Sequence, residues 1–169
     1  EKVSMRLKTS AAVSGATPPA DLASLDTFGI ELRRALLATS TAENPRVVLY
    51  SPGVEHPAYV DHSALARTLG FTLVERPDLV VRERRLWMRA LAIGSDDAQR
   101  RLDRIDVVYR RVGDAGVDPI ELGDPSPAGV PGLLGAVDGG GVALANAHGT
   151  GLLEDISLRD GWAAAAEAL

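Results

Sequence analysis

The chain has 169 residues and a formal net charge of −5, from 18 basic against 23 acidic side chains. That is the length of one domain with room for a small appendage, and the wrong sign for a general nucleic-acid binder. Apolar residues make up 46 % and the mean hydropathy is +0.03, which excludes a disordered or collagen-like chain.

Other absences narrow the chemistry. No apolar run approaches the roughly 18 residues that a membrane span needs. Cysteine is missing, which removes disulfides, thiolate metal sites and thiol nucleophiles together. Glu1-Lys2-Val3-Ser4-Met5-Arg6 leads into no apolar stretch of the kind a signal peptide carries. A soluble, cytoplasmic globular chain is expected, with neither nucleic acid nor membrane as a partner. Lysine occurs only at Lys2 and Lys8, and the histidines His56, His62 and His148 form no H-E-x-x-H pair. Because the first residue is Glu1, the expectation is a portion of something longer.

Residues 9–24 are small, polar and interrupted by Pro18-Pro19, and read as a linker or loosely held arm. Leu22, Leu25, Phe28, Leu32 and Leu36 then recur at the helical period, predicting a helix over 22–41. Arg46-Val47-Val48-Leu49-Tyr50, ended by Ser51-Pro52-Gly53, is a continuous apolar run suited to a parallel strand covered on both faces. Helical spacing over 58–69 stops at Gly70, a suitable C′ residue, and Phe71–Val74 resumes as a strand. Strand, helix and strand make a right-handed βαβ unit. Leu79–Val81 and Arg85–Met88, joined by Glu83-Arg84, predict a β-hairpin or meander of open register, because the turn is not of the Asn-Gly kind. Ile105–Tyr109 predicts one further strand, residues 129–138 a short helix, and Val142–Ala145 a last strand after Gly139-Gly140-Gly141. Residues 152–169 are helix-permissive. The alternation predicts an α/β fold: an open, mostly parallel sheet with flanking helices and one β-hairpin. The expected divisions are an arm and helix (1–43), an α/β domain (44–155) and a helical tail (156–169).

Ligands of open α/β sheets bind beyond the carboxyl ends of the strands, which selects the loops 51–57, 110–118 and 146–151. The first offers Ser51, Gly53, Glu55 and His56, without a G-x-G-x-x-G fingerprint; an ordinary βα turn explains these residues as well. Arg110-Arg111 can clamp a carboxylate or phosphate, with Asp114 and Asp118 near enough to orient them. The alternative is a surface ion pair. Asn146-Ala147-His148-Gly149-Thr150-Gly151 has the small residues of an anion-binding loop, a common composition. His62, beside Asp61, is either a ligand or a half-buried histidine satisfied by hydrogen bonds, and His148 a polar loop residue. Residues 76–111 hold ten arginines against six acidic residues. With Trp87 and Tyr109 as the aromatics there, a solvated hairpin face explains them better than RNA binding.

The runs Asn44–Leu49 with Ser51-Pro52-Gly53, Ala58–His62 with Leu65-Ala66-Arg67, Asp106–Val112, Asp118–Leu122, Gly129–Leu134 and Val142–Asn146 with Gly149-Thr150-Gly151 resemble, in order and spacing, the middle segment of circularly permuted ATP-grasp proteins. The glutathionylspermidine synthetases are relatives of that family. The resemblance covers about residues 44–155 and implies the pre-ATP-grasp, substrate-side domain of an ATP-dependent carboxylate–amine ligase. In such ligases ATP phosphorylates a carboxylate and an amine displaces the phosphate, with Mg²⁺ neutralising phosphate charge. It implies substrate contacts from Arg110, Arg111, Asp114, Ser51, Gly53, Tyr59 and His62, and phosphate or cofactor contacts from Asn146, Gly149, Thr150 and Gly151.

The chain departs from that pattern in having no lysine after Lys8 and no Glu-x-Asn or Asp-x-Asn. ATP and Mg²⁺ are therefore expected of a full-length parent and not of this chain, whose partners would be the remaining ATP-grasp subdomains and a small carboxylate or peptide. Neither a catalytic residue nor a metal ligand is assigned, and the chain alone is expected to be inactive. The competing reading is a non-catalytic anion- or peptide-binding module on the same scaffold.

Overall fold

Val47–Tyr50 (β1) is buried at all four positions, and its side chains divide between two cores in the period of two that a strand imposes. Val47 and Leu49 pack against Leu36, Leu65, Ala66 and Leu69, whereas Val48 and Tyr50 pack with Leu79, Leu86, Ile105, Val130 and Leu133. A strand sandwiched in this way can be apolar at every residue. The computed structural model describes residues 25–90 and 101–154.

The first core lies under α1 (Leu25–Leu37) and α2 (Tyr59–Leu69). Leu32 is half-buried and Leu36 buried on the predicted stripe of α1, but Phe28 is 46 % exposed, so the stripe narrows toward the start of the helix. Leu22 lies outside the described residues. Gly70 closes α2 in the left-handed conformation, φ 66°, with its N–H on the Ala66 and Arg67 carbonyls, as a C′ glycine should.

β2 (Thr72–Val74) pairs parallel with β1, completing the βαβ unit. Beyond β1 on its other side come β6 (Val107–Arg110) and β7 (Ala143–Ala145), giving a four-stranded parallel sheet of order β2-β1-β6-β7. The second layer is an antiparallel sheet of β3 (Leu79–Arg82), β4 (Arg85–Ala90) and β5 (Arg101–Ile105), with α4 (Leu133–Asp138) beside it. Arg82, Arg84, Arg85, Arg89, Arg101 and Arg104 are exposed, as a solvated hairpin face requires.

Three expectations are corrected. The single strand over Ile105–Tyr109 is two strands of different sheets, divided at Asp106. That residue donates from N to the Arg46 carbonyl at 3.0 Å, accepts from Arg46 N on Oδ2 at 2.9 Å, and accepts from Ala143 N at 2.9 Å, so it holds the sheet change against two neighbouring strands. The helix over 129–138 begins only at Leu133, and Pro119–Leu122 (α3) is an added short helix. Both depend on Asp118. Its buried carboxylate accepts from Ile120 and Glu121 N at the start of α3 and from Gly132 and Leu134 N at the start of α4. It therefore caps two helices and does not orient the arginines, since capping satisfies the orphan donors of both first turns. The tail from 155 onward lies outside the described residues. Among the described residues no helix is long and apolar enough to cross a membrane.

Candidate functional site

The chain leaves β1 toward β2 on one side and returns to β6 on the other, which makes the β1/β6 boundary a topological switch point. The register sets Tyr50 beside Arg110, and Arg111 N continues the ladder to the Tyr50 carbonyl at 2.8 Å. The loops after β1, β6 and β7 consequently open at one edge. They enclose a cleft of about 470 Å³ lined by His56, Ala58 and His62, by Arg110 through Asp114, and by Asn146, Thr150 and Gly151.

Adjacent on the strand, Arg110 and Arg111 have opposite environments. Arg110 is 5 % exposed and its guanidinium is occupied. Nε donates to the Asn146 carbonyl (3.1 Å), Nη1 to that of Val112 (2.7 Å), and Nη2 to that of Ala147 (3.0 Å) and to Asp114 Oδ1 (2.7 Å). Arg111 is half-buried on the other face. Its guanidinium lies 5.6 Å from the centre of the Tyr109 ring, and among the described residues it makes one hydrogen bond, from Nη1 to Tyr109 Oη at 3.3 Å. Period two along β6 already assigns Arg110 to the face of Val108 and Arg111 to that of Tyr109, a signal that adjacency in the sequence conceals.

Asp114 is the acceptor that joins the loops. Besides Arg110 it accepts from Gly149 N on Oδ1 (3.0 Å) and Gly151 N on Oδ2 (2.7 Å), with His148 Nδ1 at 3.5 Å from Oδ1. Burial alone would raise its carboxyl; the two backbone N–H groups and Arg110 outweigh that and hold it below the ordinary carboxylate range. A Cβ on residue 151 would stand 2.5 Å from Asp114 Oδ2, so glycine is what permits this approach. Thr150 Oγ1 donates to the Ala147 carbonyl at 2.9 Å. The Ala145–Asn146 peptide is cis.

The remaining predicted residues separate. Ser51 is fully buried beneath the cleft, its Oγ 3.0 Å from Nδ1 of the buried His62. Gly53 and Tyr59 do not line the cleft. They face Glu75 beyond β2: a Cβ on Gly53 would approach Glu75 Oε2 at 3.2 Å, and Tyr59 is hydrogen-bonded to the same carboxylate. Burial, then Glu75, then Asp78 raise the Tyr59 hydroxyl from its usual value. Gly149 acts on the cleft only through its N–H on Asp114. The residue that sequence reasoning passed over is His56, noted in its loop but not carried to the site; its ring stacks on His62 with centroids 5.5 Å apart.

A family model described as circularly permuted ATP-grasp type 2 matches residues 2–164. An uncharacterized protein of Mycobacterium tuberculosis is 43 % identical over 133 residues, which is 78 % of this chain and 14 % of that protein. A second uncharacterized protein of the same organism is 38 % identical over 133 residues, 23 % of its length. An uncharacterized protein of Synechocystis is 41 % identical over 133 residues, 26 % of its length. The chain thus spans between 14 % and 26 % of these curated relatives. With a model that runs from residue 2 to residue 164, the chain belongs to the circularly permuted ATP-grasp type 2 family.

Proposed function

We propose that the chain is the substrate-side part of an ATP-dependent carboxylate–amine ligase, related to the glutathionylspermidine synthetase-like enzymes, and that its cleft receives the carboxylate-bearing substrate in the cytoplasm. Arg111 carries the reading. It is a half-buried guanidinium on the cleft wall whose single hydrogen bond among the described residues, to Tyr109, leaves donors for a bidentate carboxylate contact. Asn146 and Thr150 flank the bound group, while Arg110 and Asp114 act through the loops as positioning residues.

The donor set does not suit a Mg²⁺ ion. Among the described residues no group of three or more His, Cys, Asp or Glu could hold a metal ion, and the cleft carboxylate, Asp114, already accepts on both oxygens. In this reading nucleotide and metal sit on other parts of a full-length ligase, and the cleft's role is binding and orientation.

Calorimetric titration of the 169-residue chain with small carboxylates and short peptides tests this. Saturable binding is expected, weakened about tenfold or more in Arg111→Gln, the scale of one charge-assisted hydrogen bond. The unfolding midpoint should stay close to that of the unaltered chain. Lack of binding, or equal affinity in Arg111→Gln, overturns the reading. ATP turnover by the purified chain would overturn the assignment of the nucleotide elsewhere.

A further inference from the structure

His56 enters the cleft from the turn between β1 and α2, and its backbone surroundings select its chemistry. The Ala58 N–H donates to His56 Nδ1 at 3.2 Å. A donor faces only an unprotonated ring nitrogen, so the neutral imidazole carries its proton on Nε2. The ring is held further by its stack on His62, which is itself 3 % exposed. Its main chain is fixed by hydrogen bonds from His56 N to Gly53 O and from Tyr59 N to His56 O.

Nε2 has no hydrogen-bond partner among the described residues, and His56 lines the same cleft as Arg111. The lining therefore presents two kinds of donor, a guanidinium from the β6 loop and an imidazole N–H from the β1 loop. Its carboxylate, Asp114, is balanced by Arg110. A ligand there must bring acceptors and negative charge.

We propose that His56 is a binding residue of this cleft: an Nε2–H donor that, together with Arg111, recognises the oxygens of a carboxylate or phosphoryl group. This rests on the reading of the cleft as a substrate site and adds to it a second donor and a defined tautomer.

Ring-nitrogen NMR shifts of the 169-residue chain, in mildly alkaline buffer where free imidazole is neutral, report the tautomer directly. Inorganic phosphate and N-acetylglycine, titrated separately, distinguish a phosphoryl from a carboxylate preference. The expected results are an Nε2–H tautomer for His56, an affinity about fivefold weaker in His56→Ala, and recovery in His56→Gln, which restores an N–H donor. Amide spectra of both variants should match the unaltered chain. An Nδ1–H tautomer overturns the proposal, as does binding that survives His56→Ala but fails in Arg111→Gln; the cleft reading then stands without His56. Failure of both probes to bind the unaltered chain overturns the two together.

Discussion

Arg110 Nη2 lies 2.7 Å from Asp114 Oδ1, and this pair ties the loop after β6 to the loop after β7. The arginine takes the carbonyls of Asn146 and Ala147, and the aspartate takes the N–H groups of Gly149 and Gly151. Adjacent cations that look alike in the sequence thus differ in structure: Arg110 is spent on the loops that build the cleft wall, whereas Arg111 lines the cleft with a single hydrogen bond, to Tyr109, among the described residues.

Removing the acceptor should be costly. Asp114→Ala leaves a buried guanidinium without its counter-ion and two backbone N–H groups without a partner, and is expected to lower stability by about 3 kcal/mol. Urea unfolding measures it. A loss below about 1 kcal/mol would show that the loops hold together without the pair.

Acid should act through the same carboxylate. Its folded-state value is depressed, so its stabilising contribution is present above the unfolded carboxylate range, about pH 4, and is lost as pH falls through the lower folded value. Unfolding free energies of the unaltered chain and of Asp114→Asn, followed from neutral into acid, should therefore converge. Curves that stay parallel would contradict the assigned sign.

The glycines at 139, 140 and 141 differ in what they tolerate. A Cβ on Gly141 would fall on the Arg84 carbonyl oxygen, which is backbone; on Gly139 it would meet Arg84 Nε at 2.6 Å, the end of a flexible side chain; around Gly140 there is open space but φ is 68°. Gly141→Ala should cost about 3 kcal/mol by overpacking and Gly140→Ala about 1 kcal/mol by strain, with Gly139→Ala the mildest. Thermal or urea unfolding of the three variants gives the order, and a mild Gly141→Ala would refute the close packing of hairpin on glycine.

The hairpin turn invites stabilisation. Register from Leu79↔Met88 to Arg82↔Arg85 leaves two residues in the loop, Glu83 and Arg84, at φ 50° and 56°. Both sit in the left-handed region that Asn-Gly occupies with less strain. Glu83→Asn combined with Arg84→Gly should raise stability by about 1 kcal/mol. A lower urea midpoint in the double variant would mean that Arg84 packing outweighs the turn.

Much of the fold was legible because its cues are local. The apolar run of β1, the helical spacing and Gly70 of α2, and the strand that follows specify a βαβ unit from neighbours in sequence alone, and the family followed from the order of such segments. The sheet change at Asp106 was not legible, since Ile105 and Val107 are equally apolar and only Arg46 and Ala143, distant in sequence, mark the break. Nor was the role of Asp118, whose capped N–H groups lie up to sixteen residues away. The loops that line the cleft were chosen by the strand-end rule, yet which arginine is spent on loop carbonyls, which carboxylate is already occupied and which histidine is held by a backbone donor depend on distances across the chain. Sequence determined the elements because periodic burial is written residue by residue. Tertiary structure decided which charged groups of the cleft keep open donors, because that availability depends on which distant partners have already taken the others.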